Sequence, residues 1–227
     1  MIQLKRIAAS LLLLSSASLL AQPKPGHLDE VLRQMDASSL KFQSAEATFQ
    51  WNLYEQVVHQ VTTEQGGTIF FKKAGNKTLM GAKMTTPSVK LIDYRDALLR
   101  LYDVATDHLT TVRSKDNQME SFLTLGFGGS GKDLARAWTI SDLGTETVDG
   151  VETARMDLVS KDPEVRKNIS HVTVWVDPAR DISLKQVFYL SSEDYRTALY
   201  TAIRYNQHID EKPYAIKTTG KTTRDEH

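Results

Sequence analysis

The residues able to do chemistry are few, and their spacing suits little of it. The six histidines are His27, His59, His108, His171, His208 and His227, and there is no cysteine. They form neither H-E-x-x-H nor a Cys/His set, so metal ligation has no signature here. No G-x-S-x-G marks an activated serine. Asp93, Asp96, Asp103 and Asp107 offer carboxylates that, paired, could work as acid and nucleophile. Their places between apolar runs fit turn capping better. Gly126-Phe127-Gly128-Gly129-Ser130-Gly131-Lys132 matches the G-x-x-x-x-G-K of a phosphate-binding loop. The next residue is Asp133, which repels phosphate and lacks the magnesium-binding hydroxyl. The segment before it reads as helix where that motif needs a strand. We therefore expect no catalytic residue, no metal and no cofactor, and read the glycines as joints of a lid.

The elements that position these residues are mostly strands. Ala45, Ala47, Phe49, Trp51 and Leu53 alternate with Glu46, Thr48, Gln50 and Asn52. Period two marks a strand with one dry face and one wet face. Apolar runs over 68–73, 78–86, 89–93, 97–102 and 108–112 follow, separated by turn residues that include Gly66-Gly67 and Ala74-Gly75-Asn76. A second set spans 139–143, 151–158, 172–177, 182–190 and 197–209, with Asp149-Gly150 as a hairpin turn and 214–219 as a last edge. This predicts an antiparallel meander.

Three pieces read as helix. Over 27–41, Leu28, Val31, Leu32 and Met35 fall at i, i+3, i+4 and i+7. Over 117–125 the stripe is Met119, Phe122, Leu123 and Leu125. Over 132–137 it is Leu134, beside Trp138. The fold class is α+β, mainly β: one strongly curved sheet whose concave face the helices cover, since a sheet this wide curls or closes. The aromatic residues on nearly every strand are either plain core or the lining of an apolar pocket.

Length and composition bound the rest. A chain of 227 residues makes one domain or two small ones. Lys+Arg and Asp+Glu are both 28, so no strong field draws in nucleic acid. Met1 to Arg6 is a basic start, and residues 7–20 are an apolar stretch too short for a comfortable membrane span. Residues 1–21 read as a signal peptide cut after Ala21, with Ala17 as the alternative. Residues 22–220 then form the single domain, and 221–227 a polar tail expected to fray. Without cysteine the fold takes nothing from disulfides despite an exported destination.

Four stretches, in order, carry a resemblance. They are the leading helix, Gly67-Thr68-Ile69-Phe70-Phe71-Lys72-Lys73, Leu91-Ile92 leading into Leu101-Tyr102-Asp103, and Val174-Trp175-Val176-Asp177-Pro178 with Lys185-Gln186. Over residues 28–219 the chain resembles the LolA-like, lipoprotein-sorting family of periplasmic carriers. The resemblance implies an unclosed β-barrel with a helical lid over an apolar cavity for the acyl chains of a lipoprotein. It also implies an inner-membrane extraction complex and an outer-membrane acceptor as partners, and work as a monomer in the periplasm. That family has Arg-Pro after its glycine strand, where the arginine holds the lid. Here the pair is Lys73-Ala74, and lysine lacks the guanidinium fork.

On this reading the cavity is lined by Phe49, Trp51, Leu53, Ile69, Phe71, Leu99 and Leu101 from the strands, and by Phe122, Leu123 and Leu134 from the lid. Lys73 is the lid-holding residue. The alternative is a periplasmic lipid- or lipoprotein-sensing domain that binds a protein partner, as regulators of envelope-stress sigma factors do. A lipid hydrolase is the third possibility and lacks a nucleophile motif.

Overall fold

The computed structural model describes residues 26–75, 77–113 and 122–227. The signal peptide expected over 1–21 lies outside the described residues, as do residues 117–121 of the helix expected over 117–125.

Twelve strands form one sheet. They are β1 (Ser44–Glu55), β2 (Gln60–Ala74), β3 (Lys77–Thr86), β4 (Lys90–Arg95), β5 (Leu98–Asp103), β6 (His108–Arg113), β7 (Trp138–Val148), β8 (Val151–Ser160), β9 (Ile169–Asp177), β10 (Ile182–Leu190), β11 (Tyr195–Tyr205) and β12 (Thr223–Glu226). Their order is β12-β6-β5-β4-β3-β2-β1-β11-β10-β9-β8-β7. The first strand therefore lies mid-sheet, joining two meanders, and the outer strands β7 and β12 do not pair. The barrel is unclosed. Among the described residues three helices of four residues or more accompany it: α1 (His27–Ser39), α2 (Gly131–Ala137) and α3 (Pro163–Arg166).

Register shows why the alternation in β1 organises the whole concave face. Ala45, Ala47 and Phe49 pair with Phe71, Ile69 and Gly67 of β2. Ile69 and Phe71 pair with Ala82 and Met80 of β3. On the other flank Phe49 and Trp51 pair with Tyr200 and Ala198 of β11. Paired residues share a face, so one apolar surface runs across both meanders.

That surface is covered by two different means. Over β7–β9, α1 lays down Val31 and Met35 against Trp138, Met156, Leu158, Val172 and Val174. Asp29 and Glu30 in the first turn of α1 suit its dipole. Over β1–β4, Phe42 and Phe127 close the cluster of Phe49, Ile69, Phe71, Met80 and Tyr94. On the convex face the C-terminal segment packs Ile209 and Tyr214 onto Phe70.

Three expectations change. Gly66-Gly67 is no turn; both glycines lie inside β2, and the chain reverses at residues 56–59, where His59 has φ 53°. Gly67 is needed because a Cβ there would stand 2.0 Å from the Lys83 carbonyl oxygen, at a register break against β3. The edge expected over 214–219 is replaced by a 3₁₀ turn at Lys212–Tyr214. The tail does not fray: β12 pairs in parallel with β6 from Thr223↔His108 to Glu226↔Thr111. Its anchor is Asp107, which accepts from the Thr222 hydroxyl at 2.7 Å.

Candidate functional site: a plugged concave face

The glycine loop ends in a ring. Phe127 is 1% exposed. It stacks on Phe71 with centroids 3.9 Å apart and planes at 9°, and meets Tyr200 edge-on at 4.9 Å. Of the proposed lining residues, the concave cluster brings together Phe49, Ile69 and Phe71, with Trp51, Leu99 and Leu123 packed at its margin. Phe127 occupies the space among them.

The backbone clasp behind the ring explains the flanking glycines. The Ser183 amide donates to the Gly126 carbonyl at 2.6 Å, and the Gly128 amide to the Asp181 carbonyl at 3.1 Å. Gly126 and Gly128 have φ of 74° and 76°. At Gly128 a Cβ would sit 2.4 Å from the Phe42 ring, so only glycine lets the loop lie this close. The loop expected to be a hinge is, in this state, a buckle fastened to the start of β10.

One side chain reinforces it. Gln186 projects inward from β10 and donates from Nε2 to the Leu125 carbonyl at 2.6 Å. Its Oε1 accepts from the Tyr200 hydroxyl at 3.2 Å. Burial pushes the Tyr200 phenol well above its ordinary pKa, so it stays a donor. Lys73, the lid-holding candidate, donates from Nζ to the Ser39 carbonyl at 2.9 Å, at the C-terminal end of α1 where a cation suits the helix dipole.

The remaining candidates lie elsewhere. Phe122 and Leu134 pack on the helix-covered half, Phe122 with its ring 5.5 Å from Phe188. Leu53 and Leu101 share the concave face by register but join neither cluster, and Leu101 is 39% exposed. Two clefts open on other surfaces. One of about 470 Å³ lies beside Lys73 and Asn206, and one of about 630 Å³ lies on the convex face by Trp175 and Tyr195.

The chemical decoys have structural work. The Lys132 amide, which a phosphate loop would aim at its anion, donates to Asp36 of α1 at 3.0 Å. Ser130 caps α2 by accepting from the Asp133 amide at 3.1 Å. Asp93 is buried between Arg95 and Arg100. Asp103 accepts from the Ala105 and Thr106 amides in a turn. Among the described residues no three of His, Asp and Glu gather as a metal site.

The segment that carried the resemblance also gains a physical reading. Trp175 faces outward under the Lys185 ammonium, 4.2 Å from its ring centroid, and donates from Nε1 to Glu146 at 2.8 Å. Asp177 holds the β9–β10 turn through the Ala179 amide at 2.9 Å. Phe127, Gln186, Tyr200 and Asp181 were not among the proposed site residues. One signal was visible for Phe127: a lone aromatic between glycines has no reason to be apolar unless it is inserted somewhere.

Solved structures share this architecture. An uncharacterised conserved protein from Thermus thermophilus matches with a TM-score of 0.54 at 9% identity, covering 88% of this chain and 98% of that one. MucB, in its Pseudomonas aeruginosa complex with MucA, matches with a TM-score of 0.51 at 10% identity. What is shared is the fold. The match covers 84% of this chain and 61% of MucB. A LolA superfamily protein from Nitrosomonas europaea is a looser neighbour, with a TM-score of 0.39 at 13% identity over 83% of this chain and 97% of that one. No family model matches this chain, and no curated protein matches it.

Proposed function

We propose that this protein is a periplasmic, non-catalytic carrier that takes acyl chains of a lipoprotein, or of a related lipid, into its concave face and ferries them from inner to outer membrane. One observation carries the reading: among the described residues the face is closed over β1–β4 by Phe127 on its glycine buckle, together with Phe42, and not by α1. A seal of that kind can be exchanged for a ligand. Burying a Phe side chain is worth roughly 1.5–3 kcal/mol, and each buried methylene about 0.8. An acyl chain that buries about four methylenes therefore matches the plug, and a longer one displaces it.

Native mass spectrometry of the protein purified gently from its own periplasm tests this. Adducts matching a lipid or acylated peptide support the carrier and name its cargo class. A clean mass, with no uptake of an apolar fluorescent probe, overturns it. The partner-binding reading then takes its place, favoured by the shared fold with MucB, which was solved bound to MucA. Under that reading a protein segment, not an acyl chain, is what the unplugged face or its rim receives.

A further inference from the structure

The buckle is fastened to a residue with an anomalous side chain. Asp181 has 0% exposure, and neither carboxylate oxygen has a hydrogen-bond partner among the described residues. Its backbone is engaged: the amide donates to the Asp177 carbonyl at 2.9 Å, and the carbonyl accepts from Gly128 at 3.1 Å. Buried carboxylates ordinarily find donors, and one left without any penalises the state that buries it.

The charges around it are accounted for. From β2 comes Lys73, whose ammonium donates to Ser39; from α1 comes Asp36. From its own turn come Asp177 and Arg180, which pair with each other at 2.6 Å. From β11 comes Tyr205, whose phenol is raised by burial and, to a lesser extent, by the Asp181 charge. The Lys73 ammonium thus already donates to a carbonyl, and two further carboxylates share the region.

We propose that Asp181 is a proton-operated release for the 126–128 buckle: neutral, it lets Phe127 seat; ionised, it drives the buckle off β10 and uncovers the concave face. The inference rests on the carrier reading only for what then enters that face. Burial pushes the Asp181 carboxyl up to about 8, with Lys73 opposing and Asp36 adding. In the open form the carboxyl meets water and titrates near its ordinary 3.8. The closed form therefore binds the proton more tightly. Its advantage is full below about pH 4, falls as pH rises, and is gone above about pH 8. Between those limits opening is favoured by up to tenfold per pH unit.

Amide hydrogen exchange at Gly128 and Ser183, compared between wild type and Asp181→Asn at matched pH from 4.5 to 8.5, tests the release. Asn keeps the shape and tolerates the positive φ of 55°. At each pH the ratio of the two proteins' exchange rates cancels intrinsic chemistry. A ratio that climbs at least tenfold across the range supports the release; a flat ratio overturns it. Asp181→Gly is the second variant, and must behave like Asn. Apolar-probe uptake on the same samples keeps the two readings apart. Exchange that responds while uptake stays nil supports the release and overturns the carrier; uptake with a flat ratio does the reverse.

Discussion

The two halves of the concave face are built from the same strand chemistry and closed in opposite ways. Over β7–β9 a continuous helix sets Val31 and Met35, 4% and 2% exposed, into a cluster with Trp138, Met156, Leu158, Val172 and Val174. His27 ties the start of that helix to Asp142 at 2.8 Å. Over β1–β4 the cover among the described residues is two rings on that one face, Phe42 from just after α1 and Phe127 from the glycine loop. A helix is cooperative: removing one contact leaves its hydrogen bonds and its other side chains in place. A ring on a loop is separable, because its few backbone bonds can open as a unit. On the proposed reading, the first half is where the fold is held and the second is where it opens.

Substitutions test that contrast. The largest expected loss of stability is from Met35→Ala, about 2–5 kcal/mol of unfolding free energy in urea titration, with probe affinity falling in step. An effect below about 1 kcal/mol would mean that α1 is no better anchored than the loop. Phe71→Glu belongs to this class too: at 1% exposure it buries an unpaired charge. Trp51→Glu, at the margin of the cluster, is therefore the cleaner test of acyl binding, expected to abolish probe uptake while the urea midpoint moves little.

Phe127→Ala should do the opposite of Met35→Ala. Removing the plug raises probe affinity by about tenfold to a hundredfold, the Boltzmann equivalent of roughly 1.5–3 kcal/mol, measured by fluorescence titration. Reduced affinity would show that the ring contacts the ligand instead of competing with it. Gln186→Leu comes next. It strands the Leu125 carbonyl and leaves the Tyr200 hydroxyl without its acceptor, so protection of the buckle amides should fall by about 1–3 kcal/mol in hydrogen exchange. The smallest effect is from Lys73→Met, about 0.5–1.5 kcal/mol at the end of α1, read by exchange of the last helical turn.

Much of the scaffold was legible. Alternation from Ala45 to Leu53 identified the central strand and its dry face, because a pleat allows only two directions. The stripe of Leu28, Val31, Leu32 and Met35 identified α1 and the side it buries. Asp149-Gly150 marked a hairpin whose φ values, 50° and 76°, are those such a turn requires. Gly66-Gly67 misled because a glycine that permits a turn and a glycine that permits close approach look alike in a sequence. The tail misled because Thr223 to Glu226 is too polar to read as strand, and its pairing needs β6, distant in the chain, as template.

The packing of the candidate site was half legible for the same reason. Six of the ten proposed lining residues meet in or beside one cluster, since strand parity and a shared apolar face follow from local pattern. Local pattern was enough for most of the strands, their dry face and the covering helix, and a chain without cysteine forms no disulfide. Packing in three dimensions sets Phe127 into the face, Gln186 against the Leu125 carbonyl, Lys73 against the end of α1, and Asp181 out of water beside the loop. Those facts depend on contacts between distant segments, such as the 34 residues from Ser39 to Lys73 and the 61 from Leu125 to Gln186, and on which atoms reach which. Side-chain periodicity is a property of one segment, whereas exclusion of water from a carboxylate is a property of all the segments around it.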